Sequence, residues 1–136
     1  DRLMSDFVGK RAGVILSVSD VVASRDFYVK HFGLSVDAEY EDPAYVILVG
    51  AGMRLSLSQA GNEAADLPGY LQHPPIDPRS QATMLVFEVD DCGLAYETLS
   101  AAGVELASEV FRPPWGGGRF FALDLEGYLI EVEEMA

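Results

Sequence analysis

The chain is poor in positive charge. Nine Lys and Arg residues stand against 22 Asp and Glu, for a formal net charge of -13. A nucleic-acid partner requires a Lys/Arg surface to compensate its phosphates, and nine scattered basic residues do not supply one, so no nucleic-acid function is expected. Cysteine is almost missing. Cys92, the single one, can make neither an internal disulfide nor a cysteine-based metal cage, which agrees with a reducing compartment and an expected cytoplasmic location. Asp90 and Asp91 beside it oppose thiolate formation. No apolar run approaches the ~18 residues of a membrane span. The opening stretch from Asp1 to Lys10 lacks the basic flank and apolar core of a secretory signal. Histidine is limited to His31 and His73, and tryptophan to Trp115.

What is present is apolar and periodic. With 136 residues and 49% hydrophobic content, the chain is long enough for one compact domain with a sizeable core. Its organisation is a repeat. Val14-Ile-Leu-Ser-Val-Ser-Asp20, followed by a helical stretch ending at His31-Phe-Gly33, is echoed by Leu85-Val-Phe-Glu-Val-Asp-Asp91 and a helical stretch ending at Ala101-Ala-Gly103. The first module, residues 12–58, reads as a strand over 12–18, a helix capped by Asp20 and closed by Gly33, and strands over 34–41, 44–49 and 53–58. Asp42-Pro43 and Gly50-Ala-Gly52 mark the turns. The second module, residues 82–134, repeats the order: a strand over 83–89, a helix capped by Asp91, and strands over 104–111, 119–124 and 128–134. The Asp caps lie 71 residues apart and the glycines Gly52 and Gly127 lie 75 apart, a difference of ordinary loop size. The connector, residues 59–81, carries Pro74, Pro75 and Pro78, which forbid a regular helix across its second half. Residues 64–71 are expected to turn. A connector of this length either crosses between packed units or folds over a site.

Together these segments resemble the vicinal oxygen chelate superfamily, which contains glyoxalase I, extradiol dioxygenases, fosfomycin-resistance enzymes and bleomycin-resistance binding proteins. The resemblance rests on Ser17-Val-Ser-Asp20 with Ser24-x-x-Phe27-Tyr28 and Phe32-Gly-Leu34, on Phe87-Glu-Val-Asp-Asp91 with Ala101-Ala-Gly-Val104, on Trp115-Gly-Gly-Gly-Arg-Phe-Phe121, and on Asp124-x-x-Gly127-x-x-Ile130-Glu131. It implies an α+β fold of two β-α-β-β-β modules whose curved mixed sheets form a cup, often completed in a homodimer.

Strand alternation names the residues that would face such a cup. With Val14, Leu16 and Val18 under the first helix, Gly13, Ile15 and Ser17 point away from it, and so do Met84, Val86 and Glu88 in the second module. Arg54, Ser56 and Ser58, and Leu129, Glu131 and Glu133, complete the two faces. A register slip of one residue would reverse every assignment.

In members of the superfamily that use a metal, the ligand positions correspond to Gly13, Ser56, Met84 and Glu131. Only Glu131 is a competent hard ligand. Glycine offers no side chain, Met84 is a soft thioether and Ser56 a poor neutral donor. Since zinc and transition-metal sites gather three or four protein ligands, no metal and no cofactor are expected. His31, in the last turn of the first helix, and His73, in the connector, read as surface residues. No nucleophile has an evident histidine partner, and Gly116-Gly-Gly118 lacks the Lys-Ser/Thr of a phosphate loop.

The aromatic equipment remains. Trp115 on its Pro-Pro-Trp-Gly-Gly-Gly loop either stacks on a planar or cationic ligand or plugs its own core. Tyr40, Tyr45 and Tyr70 are further candidates, and Arg119 either holds an anionic group or pairs with an acid. The resemblance to bleomycin-resistance proteins then implies a metal-free, homodimeric protein that sequesters an aromatic or cationic small molecule of antibiotic type. Its expected ligand-binding residues are Ile15, Ser17, Ser56, Ser58, Met84, Val86, Glu88, Trp115, Arg119 and Glu131. No catalytic residue is expected. The alternative is a metal-dependent lyase, isomerase or dioxygenase with Glu131 as ligand or as acid/base group.

Overall fold

The computed structural model describes residues 4–136; the first three residues, part of the stretch expected to hold no secretory signal, lie outside the described residues. Asp20 starts the first helix, α1 (Val21–Phe32), by accepting a hydrogen bond from the Ala23 N–H. Gly33 ends it at φ 67° and donates its own N–H to the Tyr28 carbonyl. Asp91 does the same at the start of α2 (Cys92–Ala101), accepting from Leu94 N–H. Ala23 and Leu94 are related by the spacing that relates the two caps, so the repeat holds down to single hydrogen bonds. Val21, Ser24, Phe27 and Tyr28 form the buried stripe of α1, at the three- and four-residue steps that bring side chains onto one helix face.

Strands β1 (Gly13–Val18), β2 (Ser35–Glu41), β3 (Ala44–Gly50) and β4 (Met53–Gln59) form a sheet in the order β1-β4-β3-β2. Strands β5 (Leu85–Glu88), β6 (Gly118–Leu123) and β7 (Leu129–Glu134) form a second, in the order β5-β7-β6. In both, the first strand runs parallel to the last and the remaining pairings are antiparallel. The fold is therefore α+β, with two helices and seven strands in two open mixed sheets among the described residues.

The expected strand over 104–111 is not continuous. This segment touches β6 only through isolated antiparallel bridges, Leu106 to Ala122 and Phe111 to Arg119. Between them the hydroxyl of Ser108 accepts the Phe121 N–H at 3.0 Å, where a strand would offer a carbonyl. A side chain that substitutes for the neighbouring backbone in this way interrupts the ladder.

Leu16, Val18, Leu48, Leu55 and Leu57 are buried in the first module, and Phe87, Phe120, Ile130 and Val132 in the second. Burying each such side chain contributes about 1.5–3 kcal/mol. Phe32, at the end of α1, joins the two modules by packing against Phe87, ring centroids 4.9 Å apart. At the other edge of the larger sheet, β2 has a single partner and most of its residues are exposed. Its pairing with β3 is bulged between Val36 and Ala38.

Candidate functional site

Burial follows the expected parity at Ile15 and along β5, while Ser17 and Ser56 are themselves buried. Leu16 and Val18 are buried on the helix side, while Ile15 is 45% exposed on the other; likewise Leu85 and Phe87 are buried and Val86 and Glu88 exposed. Ile15 pairs with Ser56 and Val86 with Glu131, so residues matched by the repeat occupy matched positions in the two sheets.

On the first sheet Ile15, Ser56 and Ile47 lie side by side, and Ser17, Ser58 and Tyr45 form the next row. Ser56 is buried beneath Arg54, whose Nε donates to its hydroxyl at 3.4 Å. Ser17 is buried too, its carbonyl accepting the Tyr128 hydroxyl at 2.7 Å. Burial pushes the Tyr128 phenol up to about 12, so it remains a donor at neutral pH.

The connector arches over this face. It turns twice, through Leu67 N–H to the Ala64 carbonyl and Tyr70 N–H to the Leu67 carbonyl, and Gln72 donates to the Ile15 carbonyl at 3.4 Å. Further on, Gln81 clasps the β6–β7 turn, donating to the Gly127 carbonyl at 2.8 Å and accepting from Leu129 N–H at 3.3 Å. Between sheet and arch lies a hollow of ≈ 560 Å³, with Ile15, Ser17, Tyr45 and Ser58 on the sheet side and Asp66, Leu67 and Tyr70 on the connector side. A second hollow of ≈ 530 Å³ shares Ile15, Tyr70 and Gln72 and extends towards Tyr128. The connector thus both crosses between the modules and covers a face. Asp66, Leu67 and Gln72 had no signal in the sequence beyond their place in an irregular segment; Tyr45 and Tyr70 were legible as aromatic candidates.

The other expected site residues lie apart from this hollow. Val86, Glu131 and Phe121 form one row of the second sheet, and Glu88, Glu133 and Arg119 the next. Met84 lines a surface hollow with Pro78 and Leu129. Trp115 does not plug the core: it is 78% exposed and lines a smaller hollow of ≈ 240 Å³ with Arg119 and Glu133. Arg119 sits 5.9 Å from the ring centroid of Phe111, a cation–π distance. The structure therefore brings Ile15, Ser17 and Ser58 together and pairs Trp115 with Arg119.

The four positions matched to metal ligands do not fit a metal. A Cβ on Gly13 would stand 2.5 Å from the Arg54 carbonyl oxygen, so no side chain can enter there without moving β4. Ser56 already accepts from Arg54, and Met84 lies just before β5 begins. Among the described residues, no three His, Cys, Asp or Glu side chains gather as a metal site would require. His31 packs edge-on against Phe27, and His73 Nδ1 lies 2.9 Å from the Pro74 carbonyl. Burial raises the Cys92 thiol, with Glu134 and Asp91 adding to the effect and Arg112 opposing it.

The duplicated architecture and the full span of matching residues define a family. The chain belongs to the Glyoxalase/Bleomycin resistance protein/Dioxygenase superfamily, whose model matches residues 10–132. Among solved structures it is similar to TioX from Micromonospora sp. ML1, at 20% identity and a TM-score of 0.74 over 94% of this chain and 100% of that one. It is similar as well to a glyoxalase/bleomycin resistance protein/dioxygenase from Nocardioides, at 22% identity and TM-score 0.75 over 98% and 87% of the two chains. Lactoylglutathione lyase from Agrobacterium tumefaciens shares the fold at 19% identity and TM-score 0.71, over 93% and 94%. No curated protein matches the sequence. No helix among the described residues is long and apolar enough to cross a membrane.

Proposed function

We propose that this protein binds and sequesters an aromatic or cationic small molecule of antibiotic type, without a metal, in the hollow between the first sheet and the connector. The hollow itself carries the reading. Its ≈ 560 Å³ falls in the range of small-molecule sites. Tyr45 and Tyr70 offer ring faces, Ile15 and Leu67 apolar walls, and Ser58 and Asp66 polar anchors. A net charge of -13 draws cations towards the protein over long range. The single carboxylate among the four matched ligand positions argues against metal-dependent chemistry at that place. Binding alone protects a cell when affinity is high relative to drug concentration. The same reading has the protein acting as a cytoplasmic homodimer and gives Glu131, Glu88, Val86 and Met84, with Trp115 and Arg119, the second wall of a composite site.

Isothermal titration against basic, planar and peptide antibiotics tests this. A ligand whose affinity falls at least about tenfold in Tyr45→Ala supports the reading. Silence across all three classes overturns it, and so does stoichiometric metal in the purified protein that disappears in Glu131→Gln. Light scattering at several concentrations reads the oligomeric state.

A further inference from the structure

The two places where a helix meets the other module's terminal hairpin are related by the repeat, and they are built differently. Where α1 meets the β6–β7 turn, Glu126 lays its carboxylate on the start of the helix, accepting from Ser19 N–H at 2.8 Å, Ser19 Oγ at 2.8 Å and Asp20 N–H at 3.2 Å. Just inside, the Tyr28 hydroxyl donates to Asp124 at 2.5 Å. Spacings of 71 for the helices and 75 for the last strands map Ser19, Asp20 and Tyr28 onto Asp90, Asp91 and Leu99, and Asp124 and Glu126 onto Val49 and Ala51. The second junction therefore keeps the Asp cap and loses every group that closed the first. With a methyl group in place of the Glu126 side chain, a hollow of ≈ 480 Å³ lies open between Ala51 and α2.

Its walls and rim differ in character. Phe32, Phe87, Leu99 and Val132 form an apolar floor, and Leu94, 59% exposed, stands at the side. The rim carries Glu88, Asp90 and Asp91. The basic side chain that lines the hollow with them is His31, which burial and neighbouring Lys30 hold below its ordinary value. Arg112 lies beyond Gly93 on the far side of Asp91 and is paired with Glu134 at 3.8 Å, so Glu88 and Asp90 are the acids left without a basic partner in the hollow.

We propose that this hollow is a second ligand site, separate from the one under the connector, and that it takes a small apolar amine whose ring or chain lies on Phe32, Phe87 and Leu94 while its ammonium group faces Glu88 and Asp90. The volume suits a single aromatic ring with a short chain. Desolvated apolar contact supplies the affinity, and the acidic rim selects cation over anion. An anion would meet three carboxylates at the entrance, so the same skeleton with a carboxylate in place of the amine is rejected.

The probes are 4-phenylbutylamine, 4-phenylbutyrate and neutral butylbenzene, followed by NMR titration of the intact protein. The amine is expected to shift resonances of Phe32, Phe87 and Leu94, and the carboxylate to bind at least about tenfold more weakly. Thr98→Trp, a substitution at an exposed hollow-lining position of α2, is expected to abolish amine binding while the protein remains folded by circular dichroism. Tyr45→Ala, in the other hollow, is expected to leave amine binding unchanged. Equal binding of amine and carboxylate overturns the proposal, as does undiminished binding by a folded Thr98→Trp. So does loss of amine binding in Tyr45→Ala, which would move the ligand to the connector site. Conversion of a dimer to a monomer by Thr98→Trp would make the hollow a subunit contact and likewise overturn the proposal.

Discussion

The junction around Asp124 and its counterpart around Ala51 hold the same two kinds of element together by opposite means. At the first, a buried carboxylate accepts from Tyr28 and from the N–H groups of Glu126 and Tyr128, the latter two at 2.9 Å. Glu126 then covers the helix start. At the second, the corresponding residues are Leu99, Val49, Ala51 and Met53, and contact is apolar and incomplete. A polar junction is directional: each acceptor fixes its donors, and a missing partner leaves a buried group unsatisfied. An apolar junction tolerates a void, because its cost is spread over many weak contacts. Duplication supplied two equivalent places, and the polar one alone is closed.

The largest break in this comparison is Asp124→Ala. It leaves the Tyr28 hydroxyl and two backbone N–H groups without their acceptor in a buried place, and a loss of about 3 kcal/mol in urea unfolding is expected. Leu99→Ala, at the matched apolar position, is expected to cost about 2–3 kcal/mol, towards the low end for a buried leucine because the adjoining hollow already limits its packing. If Leu99→Ala proves clearly the more costly, the polar junction is not the stronger lock. Glu126→Ala, which removes a half-buried cap and its hydrogen bonds from Ser19 and Asp20, should cost about 1 kcal/mol.

A pH series sharpens the point. Burial holds the Asp124 carboxyl above its ordinary value of 3.8, against the hydrogen bonds from Tyr28, Tyr128 and Glu126, which lower it. As pH rises the unfolded chain releases this proton first, so the contribution of Asp124 is fully present below 3.8 and is lost through the folded-state value. Asp124→Asn removes that dependence. Its stability relative to the native sequence is therefore expected to improve between about pH 3.5 and pH 7, read by denaturant midpoints. The smallest effect is expected from Ala51→Gly. Ala51 holds φ 49°, the single positive value at a non-glycine among the described residues; relieving a strain of about 1–2 kcal/mol, less the about 0.4–1 kcal/mol that glycine's freedom gives the unfolded chain, should stabilise by about 0.5–1 kcal/mol.

Much of the architecture was legible because it is written in short-range signals. Asp20 and Asp91 announce helix starts, Gly33 a helix end, and the alternation of Leu16 and Val18 with Ile15 sets which face of β1 enters the apolar core. The repeat makes Ser56 and Glu131 equivalent positions, and their pairings with Ile15 and Val86 agree. What was not legible depends on distance or irregularity. Tyr28 and Asp124 are 96 positions apart, with no pattern to connect them. The connector has no period, so its arch over Ser17 and Ser58 could be allowed for but not read. Ser108 looks like any strand-tolerated residue until its hydroxyl is seen taking the Phe121 N–H. Eight of the ten expected ligand-binding residues rest on strand parity, and Trp115 and Arg119 on their chemistry, and neither argument says which side chains share a hollow.

The exposed strand β2 bears on how copies of this protein can meet. An unpaired strand edge is an invitation to further strands, and it is refused here by Asp37, Glu39 and Glu41 along the strand and by the bulge between Val36 and Ala38, which breaks the regular spacing an incoming chain would need. Glu39 is paired with Arg25 at 2.7 Å, and Asp37 and Glu41 leave two such edges repelling one another. Extension of the larger sheet into a continuous intermolecular one is thus guarded against at its β2 edge.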